Sequence, residues 1–147
     1  MLQIQVKTFS ELTKEELYQI LQLRSEVFVV EQDCVYQDID YKDQKAIHVL
    51  GFKNNKIIAY TRVFKPGDYF NEASIGRVVV AEKERKFKYG YSIMEASIEA
   101  ISTYFNKTTI KISAQTYLRK FYNSLGFSQI GDGYLEDGIP HIAMLKT

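Results

Sequence analysis

Arg77-Val78-Val79-Val80-Ala81-Glu82-Lys83-Glu84-Arg85-Lys86-Phe87-Lys88-Tyr89-Gly90-Tyr91 is the stretch on which the reading of this chain turns. The three valines are apolar on both faces, which suits a central strand covered on each side. A turn with four cations follows (Lys83, Arg85, Lys86 and Lys88), and Gly90 introduces an amphipathic run to about Phe105. In that run Ile93, Met94, Ser97, Ile98 and Ile101 share one helical face, with Glu95, Glu99 and Thr103 opposite. The first amides of a helix have no internal partners, and the helix dipole is positive there. A buried strand feeding a basic helix start is therefore a place to bind phosphate. A solvated basic loop is the alternative reading of the same charges. Two known phosphate loops are excluded, because neither G-x-x-x-x-G-K-[ST] nor G-x-G-x-x-G is present after the strand.

Upstream, Ile4 and Val6 read as a short half-buried strand, and Thr13 with Glu16 forms a capping-box pair at a helix start. The apolar stripe of that helix runs Leu17, Ile20, Leu21, Arg24, Val27, Phe28, Glu31, so two charged residues punctuate a buried face. Gln32 to Lys45 is polar and acidic and reads as a functional loop or broken helix. Ile47 to Lys53 and Lys56 to Phe64 flank Asn54-Asn55, which predicts an antiparallel hairpin, and Ala73 to Ala81 is the next strand. Downstream, Thr109 to Ala114 alternates as a strand, and a helix from about Thr116 buries Leu118, Phe121, Tyr122 and Leu125. Gly126 sits in the position of a left-handed cap, with Phe127 placed to fold back. Two strands around Asp137-Gly138 close the chain, with Pro140 near the start or edge of the last. This order predicts an α/β fold in one domain, residues 1–147, built on a mixed sheet covered by helices.

Nineteen basic against eighteen acidic side chains leave a net charge of +1, which disfavours a nucleic-acid binder. The alternating start Met1 to Lys7 is not expected to be a signal peptide, and no apolar run approaches the length of a membrane span. Cys34 is the single cysteine, compatible with a cytoplasmic protein. It has no activating neighbour in sequence, and His48, His141 and the acidic loop show no metal-ligand spacing, so no metal is expected.

Arg85 to Gly90 resembles the R-x-x-G-x-G/A turn of the GNAT acetyltransferase superfamily, with Lys88 where that family usually has its middle glycine. Gln115 and then Leu118-Arg119-Lys120-Phe121-Tyr122-Asn123-Ser124-Leu125-Gly126-Phe127 is similar to the family's second signature. Arg24 to Gln32, Tyr36 to Asp40 and Glu136 to His141 resemble its ElaA-like branch, so the likeness runs in order along nearly the whole chain. The resemblance implies a GNAT-type fold and an N-acetyltransferase using acetyl-coenzyme A and an amine acceptor, as a monomer or homodimer. It implies a bulged central strand whose free edge, Val78 to Val80, pairs with the cofactor. It also implies a pyrophosphate turn made of Arg85, Lys86, Phe87, Lys88, Tyr89, Gly90 and Tyr91, with Gln115 and Phe121 nearby.

Tyr122 is the candidate general acid, since a phenol of pKa about 10 is protonated at neutral pH; the competing reading is a core tyrosine. His141, His48 and Glu31 are candidate bases, against a structural role for each or a water chain in their place. Asp40, Arg62 and Arg77 are candidate acceptor contacts. Alternatively the arginines form an ion-pair network with Glu31, Asp38 or Asp40, because a buried charge needs a partner. The rival functions are a non-catalytic acyl-coenzyme A-binding or sensing module, an autoinducer synthase, and a nucleotide-binding domain.

Overall fold

The computed structural model describes residues 1–147. The chain forms β1 (Gln3–Thr8), α1 (Lys14–Arg24), a π-helical continuation (Ser25–Glu31), β2 (Ile47–Lys53), β3 (Lys56–Phe64) and β4 (Ala73–Val80). It continues through α2 (Tyr89–Phe105), β5 (Ile110–Gln115), the short α3 (Arg119–Ser124), β6 (Ser128–Glu136) and β7 (Ile139–Lys146). The strands make one seven-stranded sheet in the order β1-β2-β3-β4-β5-β7-β6. Every pairing is antiparallel except β4 with β5, across which α2 makes the crossover.

Local chemistry accounts for these elements. Thr13 accepts from the Glu16 amide and Glu16 accepts from the Thr13 amide, so α1 begins at the expected capping box. Asn54 and Asn55 both take positive φ, as do Asp137 and Gly138, the conformations a tight two-residue hairpin turn needs. Gly126 (φ +96°) ends α3, and the Phe127 amide folds back to the Tyr122 carbonyl at 3.1 Å. Pro140 pairs with Leu135 of β6, whereas β5 meets β7 only from His141 onward, so its missing N–H lies beyond the β5 ladder.

The sheet is covered on both faces. On one side Ile93, Met94 and Ile101 of α2 join Val49, Ala59, Val63, Ile75, Ile112 and Met144 in the main core. On the other, Ile20 and Leu23 of α1 and Val27 beyond it pack on Leu50, Ile57, Tyr60 and Val79. The helix of the first segment does not stay α-helical to Glu31: from Ser25 it widens to π turns, which rotates Glu31 out of the stripe that spacing alone suggests.

Two features shape the centre of the sheet. Tyr60 pairs with Val79 and Arg62 with Gly76, so Thr61 faces two residues of β4, Arg77 and Val78. This is a bulge, and Arg77 sits in it at φ +50°. Beside it, β4 and β5 pair only at Ala73–Ile110 and Ser74–Lys111 and then diverge.

Between α1 and the sheet lies a buried charge network. Fully buried Arg24 donates from Nε to Asp38 (2.9 Å) and from Nη1 to Asp43 (2.8 Å). Buried Arg62 donates to both oxygens of Asp40 (2.8 and 2.6 Å) and to Asp43 (2.9 Å). Arg77 lies 2.7 Å from Asp38 and also donates to the Asp38 carbonyl. Three arginines thus face three aspartates. The expected partner Glu31 is not among them, and Asp43, not anticipated, is shared by two arginines. Fully buried His48 bonds the Asp43 carbonyl from Nε2 (2.9 Å), so Nε2 carries the proton and Nδ1 accepts from Tyr60 (2.6 Å).

Burial raises the Asp40 and Asp43 carboxyls, but their arginine partners outweigh it and hold both below the usual range. Burial pushes the His48 imidazole down, keeping it neutral. All three shifts have one sign: the native state binds fewer protons than the unfolded chain, so stability is full at neutral pH and falls on acidification. We expect loss to begin below about pH 6.5, where His48 of the unfolded chain protonates, and to steepen below about pH 4 as aspartates do. Arg24→Met should cost on the order of 3–5 kcal/mol at pH 7, because two buried carboxylates lose a partner. Urea unfolding at pH 7, 5.5 and 4 checks both; a flat profile would contradict the network's role.

Candidate active site

The divergence of β4 from β5 opens a cleft of about 530 Å³ that runs from the start of α2 to the β6–β7 turn. It is lined along one wall by Val78, Val79 and Val80 and, past α2, by Phe121 and Tyr122. Strand edges in the middle of a sheet leave backbone donors and acceptors free, so this wall suits an extended ligand that carries amides.

At one end stands the basic turn. Lys88 precedes α2 at φ +61°, the left-handed conformation that glycine takes without strain. The lysine keeps a glycine-like backbone and adds a charge at the helix start. Gly90 faces the Phe121 ring, which a Cβ there would touch at 3.4 Å, about ordinary van der Waals distance. Tyr91 packs edge-on against the same ring at 4.8 Å. Arg85 lies over the end of β4, donating from Nε to the Val80 carbonyl (3.1 Å), and its fork grips both oxygens of Glu31 at 2.6 and 2.7 Å.

Tyr122 stands midway, 5% exposed, packed edge-on between Phe121 and Phe127. Its ring belongs to the main core and also lines the cleft, so the two readings of this residue are compatible. No protein group hydrogen-bonds its hydroxyl, and burial pushes its phenol well above the ordinary value.

The far end is built by β3, β4, β5, β7 and the loop after the first helical segment. Phe64 stacks on Tyr69, Tyr36 donates to Asp38 (3.0 Å), and Ser113 bonds the Tyr134 hydroxyl. The Nδ1–H of His141 donates to the Ile139 carbonyl at 2.7 Å, so neutral His141 carries its lone pair on Nε2. That nitrogen is 3.5 Å from Glu136, and the ring stacks on Tyr134.

Of the residues singled out from sequence, the cleft gathers Val78, Val79, Val80, Arg85, Lys88, Gly90, Tyr91, Gln115, Phe121, Tyr122, His141, Glu31, Arg62 and Arg77. Five fall elsewhere. His48, on β2, is fully buried with both ring nitrogens bonded and does not line the cleft. Asp40 is locked to Arg62. Tyr89 packs in the core, Phe87 lies under the Lys53 ammonium at 4.1 Å, and Lys86 stays outside the cleft. Glu31 reaches the cleft, but Arg85 binds both its oxygens and lowers its pKa, which makes it a poor base. Tyr36, Tyr69, Phe70, Ser113 and Glu136 also line the cleft, beyond the residues that the sequence singles out. The Tyr69-Phe70 pair in a turn and Ser113 on the outward phase of β5 were the available signals. No group of three or more His, Cys, Asp or Glu is placed to hold a metal, and no helix is long and apolar enough to cross a membrane.

Residues 7–147 match the family model described as the acetyltransferase (GNAT) domain. The chain is 43% identical over 139 residues to protein ElaA of Escherichia coli K12, covering 93% of this chain and 91% of that one. The crystal structure of E. coli ElaA superposes with a TM-score of 0.93 at 41% identity, covering both chains fully. An acyl-CoA N-acyltransferase from Pseudomonas aeruginosa gives 0.94 at 37%, again with full coverage of both. A CoA-dependent acyl-homoserine lactone synthase, BjaI, gives 0.79 at 16%, with 99% of this chain and 82% of that one covered, and shares the fold alone. Bulged central strand, basic helix start and sequence kinship point the same way: this chain belongs to the GNAT acetyltransferase family, in the branch of ElaA.

Proposed function

We propose that this chain moves an acetyl group from acetyl-coenzyme A to a primary amine by direct attack in a ternary complex, with Tyr122 as general acid. The observation that carries this reading is that Tyr122 lines the cleft that Val78 to Val80 also line, with no protein partner for its hydroxyl. The thioester supplies an activated acyl group whose sulfur leaves as a thiolate. Val78 to Val80 hold the extended arm by backbone pairing, and Arg85, Lys88 and the first α2 amides receive the phosphates. Burial keeps the Tyr122 phenol protonated, and a thiolate formed in the same buried surroundings is raised likewise, so the two stay matched for proton transfer. His141, with Nε2 free to accept, takes the proton of the attacking amine. Holding both reactants in one cleft supplies much of the remaining rate.

Removing only the hydroxyl in Tyr122→Phe should lower kcat by about tenfold to a thousandfold while coenzyme A affinity and Tm change little. Wild-type turnover under conditions where chemistry limits the rate would return Tyr122 to a packing role. For His141→Gln, kcat/KM should fall at least tenfold near neutral pH. Unchanged kcat/KM would leave proton removal to water.

Lys88→Gly separates backbone from charge. Relief of the left-handed strain should raise stability by about 1 kcal/mol. Loss of the cation should weaken coenzyme A binding several-fold at low salt, with the difference shrinking as salt is added. Calorimetry at two ionic strengths and a melting curve read both; unchanged affinity would remove Lys88 from the phosphate site.

A further inference from the structure

The residues that end the first helical segment cross the cleft. Glu31 reaches Arg85, which lies along the β4 lip, at 2.6 and 2.7 Å. Its neighbour Gln32 exchanges amide hydrogen bonds with Gln115 at the end of β5, at 3.3 Å in each direction. Two adjacent residues therefore tie the two diverging strands together across the mouth. Three of the five Arg85 N–H donors are in use there, and both terminal nitrogens of the fork are on Glu31: Nη1 and Nη2 bond its two oxygens and Nε bonds the Val80 carbonyl.

A carboxylate in a bidentate grip presents two oxygens to the guanidinium fork, the geometry a phosphate presents with two of its own. The fork cannot serve both at once. A retained Glu31 beside an arriving diphosphate would also place like charges in contact. Resting on the reading of this cleft as a coenzyme A site, we propose that Glu31 is a built-in occupant of the phosphate site. Its carboxylate holds the Arg85 fork until the pyrophosphate replaces it, and binding of coenzyme A frees the end of the first helical segment. The pair is partly open to water, with side chains 42% and 30% exposed, which keeps the exchange within reach of a modest binding energy. The π turns from Ser25 to Glu31 supply a segment that can rewind as Glu31 lets go. No covalent step is involved; one anion replaces another on a fixed cation.

The test is equilibrium binding of two probes, coenzyme A and pantetheine (the arm without phosphates), to wild type, Glu31→Gln, Arg85→Gln and the double variant. Glu31→Gln keeps the shape and removes the charge, so coenzyme A should bind about threefold to tenfold tighter, while pantetheine is unchanged. In the Arg85→Gln background the gain should shrink, since there is no fork left to release. Weaker or equal coenzyme A binding by a well-folded Glu31→Gln overturns the proposal and leaves the site itself intact. Tightening of pantetheine to the same degree also overturns it, because the strap then acts by bulk and not as a phosphate substitute. Failure of coenzyme A to bind any variant, wild type included, instead defeats the reading of the cleft on which the proposal rests.

Discussion

The rest of the site depends on a mismatch at Thr61: one residue of β3 faces two of β4. The extra residue bends β4 away from β5 after only two parallel pairs, and the sheet splits at its centre. A gap in the middle of a sheet is costly, because backbone groups there lose their ladder partners. The fold offsets this by packing around the split. Thr61 bonds Ser97 of α2, which also donates to the Ile93 carbonyl, and the seven-stranded sheet continues on both sides of the opening. The opening is then a rigid slot with amide-hungry walls. The same chain direction that makes β4 and β5 parallel requires the α2 crossover, which sets a helix start at the mouth of the slot.

The buried arginines belong to a second constraint. Arg24, Arg62 and Arg77 come from a helix and two strands, while Asp38, Asp40 and Asp43 all come from one loop without regular structure over most of its length. Such a loop has few backbone bonds of its own, and six charges in mutual contact hold it against the sheet. Replacing this arrangement with apolar residues could be as stable, but it would hold the loop less specifically. Because that loop carries Tyr36 to the far end of the cleft, the network positions part of the cleft wall.

Element order, hairpins, caps and the central strand were legible because each rests on local chemistry: a capping box, two asparagines in a turn, three valines in a row. The partners of the charges were not. Arg24 and Glu31 share a helical stripe in sequence, yet the widening at Ser25 sends one to Asp38 and Asp43 and the other to Arg85. Nothing in residues 25 to 31 marks π turns, since the distinction lies in which carbonyl each amide finds. His48 looked as available as His141 because a histidine in a strand is the same letter on either face. Only the contacts made in the fold, with both ring nitrogens of His48 bonded to Asp43 and Tyr60 while His141 lines the cleft, tell a buried structural imidazole from one at the slot. Lys88 hid its backbone conformation, because lysine seldom takes positive φ.

These placements divide the slot electrically. Cations gather at the α2 end, where Lys88 stands exposed and Arg85 is partly neutralised by Glu31. At the other end Arg62 and Arg77 are matched by aspartates, so they add little net field to the cleft they line. The carboxylates there that no arginine holds are Glu136 and Asp137, beside His141. Fields of opposite sign thus stand at the two ends of the slot. In the acidic loop Asp38, Asp40 and Asp43 are paired with arginines. On the β6–β7 turn Glu136 lies 3.5 Å from His141, whose Nδ1–H is fixed by the Ile139 carbonyl.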